Sequence, residues 1–489
     1  MAQILVNGLT FAYEGSYDNI FENVSFSIDT DWKLGFTGRN GRGKTTFLNL
    51  LMQKYAYEGS ITRSVAFDYF PFEVQDVQQQ TLSVMRRVCP GCEEWVLLRE
   101  LFKLEVEEDV LYRPFSTLSH GERTKVLLAA LFSKEGHFLL IDEPTNHLDI
   151  KGRELVGRYL NSKKGFILVS HDRAFLDLCV DHILSINRAD IEVRKGNFSS
   201  WYFNKQQQDA RELSENERLK KEIGRLNTAC RRTAGWSNET ERSKFGEKVP
   251  DRGFIGHKSA KMMKRAKSLK NRRQSAVADK EKLLKNIERQ DDLKIQPLAY
   301  HTDCLVTLKD VRIRYGAHTV CEGVSLSVCR GERIVISGKN GSGKSSLLKL
   351  IAGEDISYSG SLHKGSNLIV SYVAQGTAAL SGGLQDYARH QGIDESLFMT
   401  ILRKFDLPRV QFEKNLEDFS AGQKKKVLIA RSLCERAHLY IWDEPLNYID
   451  VFSRMQIEKL LMQSGAAMVL VEHDRAFIDQ IATRVVLLG

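Results

Sequence analysis

The chain has 489 residues, enough for about two to four domains, and 42% of its residues are apolar, as in ordinary globular proteins. No run of about 18 apolar residues is present, which excludes a membrane-spanning helix. The N-terminus lacks the basic start and apolar core of a signal peptide, so we expect a cytoplasmic protein with no membrane contact.

The net charge of +9 is concentrated in the middle of the chain. Residues 205–295 contain 25 Lys and Arg against 14 Asp and Glu, which leaves the rest of the chain slightly acidic. Within that segment, residues 258–273 contain eight basic residues and no acidic one. A run of one sign indicates a polyanionic partner, most often nucleic acid, although a solvated helix face is the plainer alternative.

The eight cysteines are scattered along the chain and do not form the dense pattern of a small secreted domain. Cys89 and Cys92 form a C-x-x-C pair, which can serve metal or redox chemistry. No second pair lies nearby to complete a four-cysteine site, so a structural or incidental role is favoured for this pair.

An internal repeat organises the sequence. Four motifs recur in the same order at an offset of 300 to 302 residues: 38–45 at 338–345, 118–122 at 419–423, 140–144 at 441–445, and 170–173 at 472–475. The chain is therefore predicted to be a tandem duplication. Its first half is residues 1–198, its second half is residues 303–489, and residues 199–298 link them.

In chain order, each half alternates predicted strands and helices. In the first half, an apolar strand at 34–37 leads into a glycine-rich loop and a helix at 46–52, and the strand at 138–141 ends at an acidic pair. A further strand, 165–170, ends at His171, and the second half repeats the pattern. Such alternation predicts an α/β fold, with a mainly parallel sheet in each half covered by helices on both faces.

Both glycine-rich loops match G-x-x-x-x-G-K-[ST], the phosphate-binding loop. Its glycines let backbone N–H groups converge on phosphate oxygens at a helix N-terminus, and its lysine reaches the β- and γ-phosphates. A single match can be a plain glycine turn, but two matches that each follow an apolar strand favour nucleotide binding. The residues predicted to bind ATP are Gly38, Asn40, Gly41, Gly43, Lys44, Thr45, Thr46, Gly338, Asn340, Gly341, Gly343, Lys344, Ser345 and Ser346.

Each predicted strand that ends in Asp-Glu places two carboxylates at the edge of the sheet. Burying two adjacent carboxylates is costly unless a metal or a hydrogen-bond network compensates. Asp142 and Asp443 are predicted to hold Mg²⁺, together with the hydroxyls of Thr45 and Ser345. The residues that follow them, Glu143 and Glu444, are predicted to polarise the attacking water.

Two histidines and two tyrosines complete the predicted sites. His171 and His473 follow apolar strands and precede the same Asp-Arg-Ala-Phe sequence, which favours a γ-phosphate contact over a satisfied core histidine. Tyr13 and Tyr315 precede the phosphate loops and are predicted to stack on adenine, with a core tyrosine as the alternative for each.

The linker is predicted to be a helical hairpin. Apolar positions at helical spacing predict one helix at 199–232 and a second at 258–292, and the glycines and proline of 233–257 predict a turn region at the tip. Aromatic residues among basic ones suit unpaired RNA bases, although they can also simply fix the tip loop. The tip residues predicted to contact RNA are Trp236, Arg242, Lys244 and Phe245.

The S-x-G-[EQ] segments, with Ser119 and Gly121 in the first half and Ser420 and Gly422 in the second, resemble the signature of ATP-binding cassettes. Together with the phosphate loops, this resemblance implies ATP and Mg²⁺ as cofactors and an intramolecular head-to-tail sandwich of the two halves. Site one would then combine Lys44, Asp142, Glu143 and His171 with Ser420 and Gly422. Site two would combine Lys344, Asp443, Glu444 and His473 with Ser119 and Gly121.

One difference between the halves concerns magnesium. Gln375 matches the family glutamine that contacts Mg²⁺ and ATP, whereas the corresponding position in the first half is Phe72. Both predicted catalytic glutamates are retained, so both sites are expected to hydrolyse ATP, although their rates can differ.

Two cassettes, no membrane domain and a long basic hairpin resemble the ABC-F family of translation factors across essentially the whole chain. The resemblance implies a monomer that binds the E site of the 70S ribosome, with the hairpin tip near 23S rRNA, P-site tRNA and the peptidyl transferase centre. Lys44 and Ser119 are 75 residues apart and Lys344 and Ser420 are 76 apart, so the first half lacks the arm inserted in several housekeeping members.

The short spacing and long tip resemble the antibiotic-resistance members of the Lsa/Vga type, which implies displacement of lincosamides, pleuromutilins and streptogramin A. A housekeeping translation factor remains the main alternative. An ATPase subunit of a transporter is more distant, because a basic hairpin of this length has no use there. A DNA-repair ATPase would need a longer coiled coil or zinc modules.

Overall fold

The computed structural model describes residues 3–14, 19–146, 148–187, 190–242, 292–316 and 318–488. Residues up to Trp201 and those from Asp292 onward belong to one compact unit, and the linker helix from Tyr202 onward belongs to a second. In the described part of the chain, no helix is both long and apolar enough to cross a lipid bilayer.

The strands of the first half form two sheets. They are β1 (Gln3–Phe11), β2 (Phe21–Asp29), β3 (Lys33–Thr37), β4 (Glu58–Thr62), β5 (Ala66–Phe70), β6 (His137–Asp142), β7 (Phe166–Val169), β8 (His182–Asn187) and β9 (Asp190–Lys195). The larger sheet has the order β5-β6-β7-β3-β8-β9 and is parallel except between β8 and β9. The smaller sheet, β2-β1-β4, is antiparallel. All four residues of β7 are buried, as expected for a strand covered on both faces.

The helices of the first half surround these sheets. They are α1 (Lys44–Leu51), α2 (Thr81–Val88), α3 (Glu94–Lys103), α4 (His120–Phe132), α5 (Ile150–Asn161) and α6 (Arg173–Cys179). Cys89, at the end of α2, is joined to Cys92 by a disulfide bond.

The second half repeats this architecture. Its strands are β10 (Cys304–Tyr315), β11 (His318–Cys329), β12 (Arg333–Gly338), β13 (Tyr358–Lys364), β14 (Val370–Val373), β15 (Leu439–Asp443), β16 (Ala467–Val471) and β17 (Arg484–Leu488). Its helices are α8 (Lys344–Ala352), α9 (Leu384–His390), α10 (Glu395–Lys404), α11 (Ala421–Cys434), α12 (Val451–Gln463) and α13 (Arg475–Ile481). The parallel sheet is β14-β15-β16-β12-β17 and the antiparallel sheet is β11-β10-β13. The predicted α/β fold of two tandem cassettes is confirmed.

Aromatic packing fixes the helix that follows the first phosphate loop. The fully buried Phe47 of α1 contacts Phe21, Phe26 and Phe36, with ring centroids 6.0, 5.7 and 5.6 Å apart. Phe21 and Phe26 belong to the antiparallel sheet and Phe36 to the parallel sheet. The pairs with Phe21 and Phe36 are edge-to-face and the pair with Phe26 is tilted, and such ring contacts add to the free energy of burial and hold α1 between the two sheets. The N-terminus of α1 is thereby held in place beside the glycine loop.

The linker begins with a single long helix, α7 (Phe198–Arg242), of 45 residues, which spans about 68 Å at 1.5 Å per residue. The helix continues ten residues beyond the predicted end at 232, so the prediction that the turn region begins at 233 was wrong. One glycine in that stretch, Gly235, costs about 1 kcal/mol, which is too little to end a helix of this length. The predicted second helix at 258–292 lies outside the described residues except for Asp292, which is not helical.

A buried carboxylate anchors the helical region of the first half. Glu100 of α3 accepts hydrogen bonds from Lys163, Lys103 and Tyr159, and its side chain is almost fully buried. Burial alone would raise the pKa of Glu100, but the bonds from Lys163, Lys103 and Tyr159 outweigh it and bring the pKa to about 2. The ionised carboxylate therefore ties α3 to the end of α5 at neutral pH.

Replacing Glu100 by Gln is expected to destabilise the protein by about 2 kcal/mol at pH 7, because buried donors lose their charged acceptor. The pKa is lowered on folding, so this contribution exists above the unfolded value of about 4.5 and disappears as the pH falls toward 2. Thermal melts at pH 7 and pH 3 test this, and the difference between wild type and variant should shrink at pH 3. An equal difference at both pH values would contradict an ionic role for Glu100.

Candidate active sites

The first phosphate loop connects β3 to α1. Gly41 and Gly43 have φ of 81° and 92°, values that side chains other than glycine rarely adopt. A Cβ atom on Gly43 would also lie 2.5 Å from Cγ2 of Ile20. Because the loop ends at the N-terminus of α1, its free N–H groups and the helix dipole favour a bound anion.

Each phosphate-loop lysine folds back onto its own loop. Nζ of Lys44 donates to the carbonyl oxygens of Gly38 at 2.7 Å and Arg39 at 3.2 Å. Nζ of Lys344 makes the matching bonds to Gly338 at 2.9 Å and Lys339 at 2.8 Å. Burial lowers the pKa of both lysines, and nearby carboxylates oppose that effect. Both ammonium groups therefore lie within their own phosphate loops, beside the segments predicted to bind ATP.

The two predicted catalytic glutamates follow the ends of β6 and β15 in an unusual conformation. Glu143 and Glu444 have φ of 50° and 45°, in the left-handed region. Their N–H groups donate to Val169 at 2.9 Å and Val471 at 3.0 Å. These hydrogen bonds to the neighbouring strand hold each residue in its strained backbone conformation at the edge of the sheet. The conformation in turn sets the direction in which each carboxylate leaves the backbone. Strain of this kind is often stored at functional sites.

The signature serines cap helices that point into the opposite site. Ser119 is the N-cap of α4 and forms a capping box with Glu122, and Ser420 caps α11 with Gln423 in the same way. The S-x-G-[EQ] spacing is therefore a reciprocal helix cap, with the serine at the N-cap and the acid or amide three residues later. The helix N-terminus adds positive potential beside a phosphate.

The two halves together line site two. A cavity of about 840 Å³ is bordered by Ser119 and Gly121 of the first half and by the phosphate loop of the second. The other predicted residues around it are Asn340, Gly341, Gly343, Lys344, Ser345, Ser346, Gln375, Glu444 and His473. The structure therefore brings the predicted residues of site two together across the two halves.

Site one is closed by direct contacts between the halves. Nδ2 of Asn40 donates to the backbone oxygen of Tyr448 at 2.8 Å. A Cβ atom on Gly422 would lie 2.4 Å from that same oxygen and 2.8 Å from Nδ2 of Asn40. Arg39 and Arg42 both reach Asp406, at 3.2 and 3.4 Å. The first phosphate loop and the second signature segment thus meet as predicted for a head-to-tail arrangement.

In site two, Glu444 is held by a set of donors. Oε2 of Glu444 accepts hydrogen bonds from Nε2 of Gln375 at 2.9 Å and Nδ2 of Asn447 at 2.6 Å. Nε2 of His473 lies 3.7 Å from Oε1 of Glu444. Burial opposes ionisation, but His473, Gln375 and Asn447 lower the pKa of Glu444 to about 2. An ionised carboxylate at this position can accept a proton from water.

In site one, Glu143 lacks these donors. Its buried Oε1 has no hydrogen-bond partner among the described residues, and Nε2 of His171 lies 3.4 Å away. Burial and the charge of Asp142 raise the pKa of Glu143 to about 8. Burial and the charge of Lys44 hold the pKa of His171 well below its usual value. Phe72, at the position of Gln375, cannot donate to Glu143.

The residues predicted to hold magnesium also differ between the sites. Asp142 accepts hydrogen bonds at Oδ2 from Tyr69 at 2.9 Å and Thr45 at 3.2 Å. Oδ1 of Asp443 is buried without a partner among the described residues, which suits a cation that accompanies ATP. No cluster of three or more His, Cys, Asp or Glu in the described ranges could hold a metal without the nucleotide.

The predicted adenine-contacting tyrosines lie beside the start of each phosphate-loop helix. The hydroxyl of Tyr13 lies 2.8 Å from Oγ1 of Thr46, and that of Tyr315 lies 3.2 Å from Oγ of Ser346. Both rings are exposed, at 42% and 52%, which leaves a face available to a ligand. These exposures rule out the alternative interpretation, in which each tyrosine is a buried residue of the core.

The predicted tip residues are not placed by the structure. Trp236 and Arg242 lie on α7, but their side chains are outside the described part. Lys244 and Phe245 lie outside the described residues altogether.

Sequence reasoning missed several contributors. Asn447 donates to Glu444, and Tyr69 donates to Asp142. Asn447 lies three residues after Glu444, and Tyr69 lies three residues before Phe72, so both belong to segments that contain predicted site residues. In the sequence they look like ordinary loop and strand residues. Arg173 and Arg475 each follow a predicted site histidine by two residues and form ion pairs across the halves, to Glu458 at 2.5 Å and Glu154 at 2.6 Å. The repeat of Asp-Arg after each histidine was the available signal for them.

Lys425 is a buried lysine of α11 that connects two parts of site two. Its Nζ donates to the carbonyl oxygens of Ala374 at 3.0 Å and Asp443 at 3.4 Å, the residues just before Gln375 and Glu444. Burial lowers the pKa of Lys425 to about 8. The corresponding residue in the first half is Thr124, which instead bonds to its own helix at His120.

Replacing Lys425 by Thr, the residue of the first half, is expected to lower ATP turnover by about tenfold, because small displacements of Gln375 and Glu444 are costly. The melting temperature should not fall by more than a few degrees, since a desolvated ammonium is removed. Steady-state phosphate release and thermal melts measure the two effects. Lys424→Thr is the matched control, because Lys424 bonds only to the exposed carbonyl of Glu417 among the described residues. Equal losses in both variants would contradict this role of Lys425.

Comparison with known proteins agrees with this architecture. The sequence profile of the ABC transporter family matches residues 21–146 and 321–447, about half of the chain. The chain is 26% identical over 486 residues to the ribosome protection protein VmlR of Bacillus subtilis, covering 96% of this chain and 84% of that protein. It is 27% identical over 485 residues to the ATP-binding protein Uup of Caulobacter vibrioides, covering 96% and 74%. It is 25% identical over 522 residues to the energy-dependent translational throttle protein EttA of Escherichia coli K12, covering 96% and 89%.

Solved structures show the same fold at low identity. The archaeal ribosome recycling factor aABCE1, solved in complex with the ribosomal stalk protein aP1, matches with a TM-score of 0.63 and 19% identity, covering 98% of this chain and 87% of that one. ABCE1 in a model of ribosome-bound archaeal Pelota and ABCE1 matches with a TM-score of 0.61 and 22% identity, covering 98% and 76%.

Two phosphate loops, two signature caps and two acidic strand ends define a tandem ATP-binding-cassette ATPase. The chain belongs to the ABC family and, within it, to the ABC-F proteins, a conclusion that rests on its two family matches and on its similarity to VmlR over 96% of its length. Its enzymatic activity is the hydrolysis of ATP to ADP and phosphate.

Proposed function

We propose that this protein is a cytoplasmic ribosome-protection ATPase of the Lsa/Vga type that acts as a monomer on the 70S ribosome. It binds the E site and directs its linker tip past P-site tRNA and 23S rRNA toward the peptidyl transferase centre. There it displaces lincosamides, pleuromutilins and streptogramin A.

The observation that carries this proposal is similarity along nearly the whole chain to a ribosome protection protein, linker included. The helix α7 is about 68 Å long, a length that suits a linker that contacts a large partner. The linker sequence also contains the whole positive excess of the chain, which suits the phosphates of RNA. The ribosome is therefore the partner that best fits both the relatives and the charge.

ATP hydrolysis in this proposal depends on the composite sites. In site two, the ionised Glu444 accepts a proton from the water that attacks the γ-phosphorus, and Lys344 and His473 stabilise the charge that develops on the phosphate oxygens. ADP then departs as the leaving group. When bound, Mg²⁺ neutralises phosphate charge beside Asp443 and Ser345. Site one has Glu143, Lys44 and His171 at the equivalent positions, but the raised pKa of Glu143 leaves little of this carboxylate ionised at neutral pH, so we expect slower hydrolysis there.

A cycle of closure and release follows from this arrangement. ATP bridges a phosphate loop of one half and a signature cap of the other, so binding favours the closed halves and hydrolysis removes that bridge. Coupling closure to ribosome binding would give an ATP-bound state that remains on the ribosome and an ADP state that leaves it.

A housekeeping translation factor is the second candidate, supported by the similarity to the translational throttle protein EttA. An ATPase subunit of a transporter is a distant third, because such a subunit has no use for a 45-residue helix between its cassettes.

Inhibitory concentrations of lincomycin, tiamulin and virginiamycin M in a susceptible bacterium test the proposal. We expect the wild-type chain to raise all three and a Glu143→Gln/Glu444→Gln variant to raise none. No rise, with the double variant stalling translation, would favour the housekeeping function. A double variant that neither stalls translation nor co-sediments with ribosomes would refute ribosome binding itself.

A further inference from the structure

A groove on the second half is filled by residues 292–295, where the linker leads into that half. Nζ of Lys404 donates to the backbone oxygen of Asp292 at 2.6 Å, and Nζ of Lys459 pairs with Oδ1 of Asp292 at 2.6 Å. Leu293 is 5% exposed and joins the core that includes residues of α10 and α12, and Ile295 packs against the same core. The segment Asp-Leu-Lys-Ile thus covers the groove between α10 and α12.

The first half contains the equivalent groove between α3 and α5. At the repeat offset of 301, Lys404 and Lys459 correspond to Lys103 and Arg158. Both residues line an open cavity of about 900 Å³ together with Phe102, Val106 and Leu155. Phe102 is 83% exposed, the largest exposure among the big apolar side chains of the described residues. This groove therefore shares the two basic positions of its counterpart, and it is more apolar, because Phe102 and Leu155 stand where the second half has Arg403 and Gln456.

Charge selects the class of ligand that fits. Glu105, Glu107 and Glu108 also line the cavity, and this acidic rim disfavours the phosphate backbone of nucleic acid. Lys103 is engaged with Glu100 at 2.9 Å, so Arg158 offers the charge available to an incoming carboxylate. A segment with an acid, an aliphatic residue and then a base would place its acid near Arg158 and its base near the glutamates.

We propose that the α3–α5 groove docks a short extended segment of a partner protein with the pattern acid, aliphatic, basic, aliphatic. The aliphatic side chains of the segment pack against Phe102, Val106 and Leu155, the apolar part of the lining. Arg158 binds the acid as Lys459 does. This surface lies apart from both ATP sites, and the proposal does not depend on the ribosome.

A labelled copy of the chain's own segment, residues 291–297 with the sequence Asp-Asp-Leu-Lys-Ile-Gln-Pro, is the probe. In fluorescence anisotropy with the full-length protein, we expect saturable binding, because the second-half groove is already covered by its tethered copy. Arg158→Glu removes the partner of the acid, and Phe102→Asp removes the apolar contact and adds a like charge near that acid, so each should weaken binding by about tenfold or more.

Leu487→Ala is the matched control, since Leu487 is 77% exposed on β17 and its loss should leave binding unchanged. Because Arg158, Phe102 and Leu487 are all exposed, the variants are expected to melt like the wild type. The proposal is overturned if the peptide does not bind saturably, or if Arg158→Glu and Phe102→Asp bind it as well as the wild type does. A short single-stranded RNA that competes with the peptide and loses affinity in both variants would instead assign the groove to nucleic acid.

Discussion

Replacing Glu444 by Gln is expected to lower steady-state ATP turnover by about 100-fold or more, whereas Glu143→Gln should lower it by about tenfold or less. The difference follows from the donors around each carboxylate. Gln375 and Asn447 both donate to Glu444, but Oε1 of Glu143 is buried without a hydrogen-bond donor among the described residues. Site two therefore has its base oriented and ionised, and site one does not. Phosphate release at saturating ATP measures both variants.

The control is nucleotide binding, which glutamine should preserve because it matches glutamate in size. A fluorescent ATP analogue should bind both variants as it binds the wild type, so any difference in turnover reports chemistry. Equal losses in the two variants would contradict unequal sites and indicate that hydrolysis in both sites is obligatorily linked.

The sequence was sufficient for the repeat, the fold class and the grouping of residues at the sites. A fixed offset of about 300 residues related every motif, and parallel strands bring their carboxyl ends to one edge of the sheet. Phosphate loop, acidic pair and histidine therefore had to meet, because each follows such a strand. The signature could be placed opposite them only through the resemblance to ATP-binding cassettes, since no local rule pairs two halves head to tail.

The different ionisation of the two predicted catalytic glutamates could not be predicted from the Asp-Glu-Pro sequence that both share. The pKa of Glu444 depends on Gln375, Asn447 and His473, which come from three separate segments. The end of the first linker helix was also misjudged, because a stretch with one glycine, Gly235, can remain helical when its other residues favour helix. Contacts between distant segments set the pKa of each glutamate, and small differences in helix propensity set the end of the helix. The sequence alone does not reveal either.

Gly422→Ala is expected to lower ATP turnover by about ten- to a hundredfold while leaving the melting temperature of the protein nearly unchanged. The added methyl would lie 2.4 Å from the backbone oxygen of Tyr448 and 2.8 Å from Nδ2 of Asn40, so site one cannot keep its present closure. Overpacking of this kind costs about 1–3 kcal/mol, and here it destabilises the closed arrangement of the two halves. Because Lys44 and its loop are untouched, the variant should still bind ATP. Turnover and analogue binding, measured together, separate the two steps.

Gly121→Ala is the matched control, because Gly121 occupies the same signature position in the first half. The nearest atom to its added methyl is Cδ2 of Leu148 at 3.5 Å, an ordinary contact, and it faces a cavity of about 840 Å³. We expect its turnover to stay within about threefold of the wild type, since this contact requires no displacement of backbone. If Gly121→Ala were as damaging as Gly422→Ala, the open geometry of site two would not persist when ATP binds. The two halves would then close equally tightly on both nucleotides during turnover.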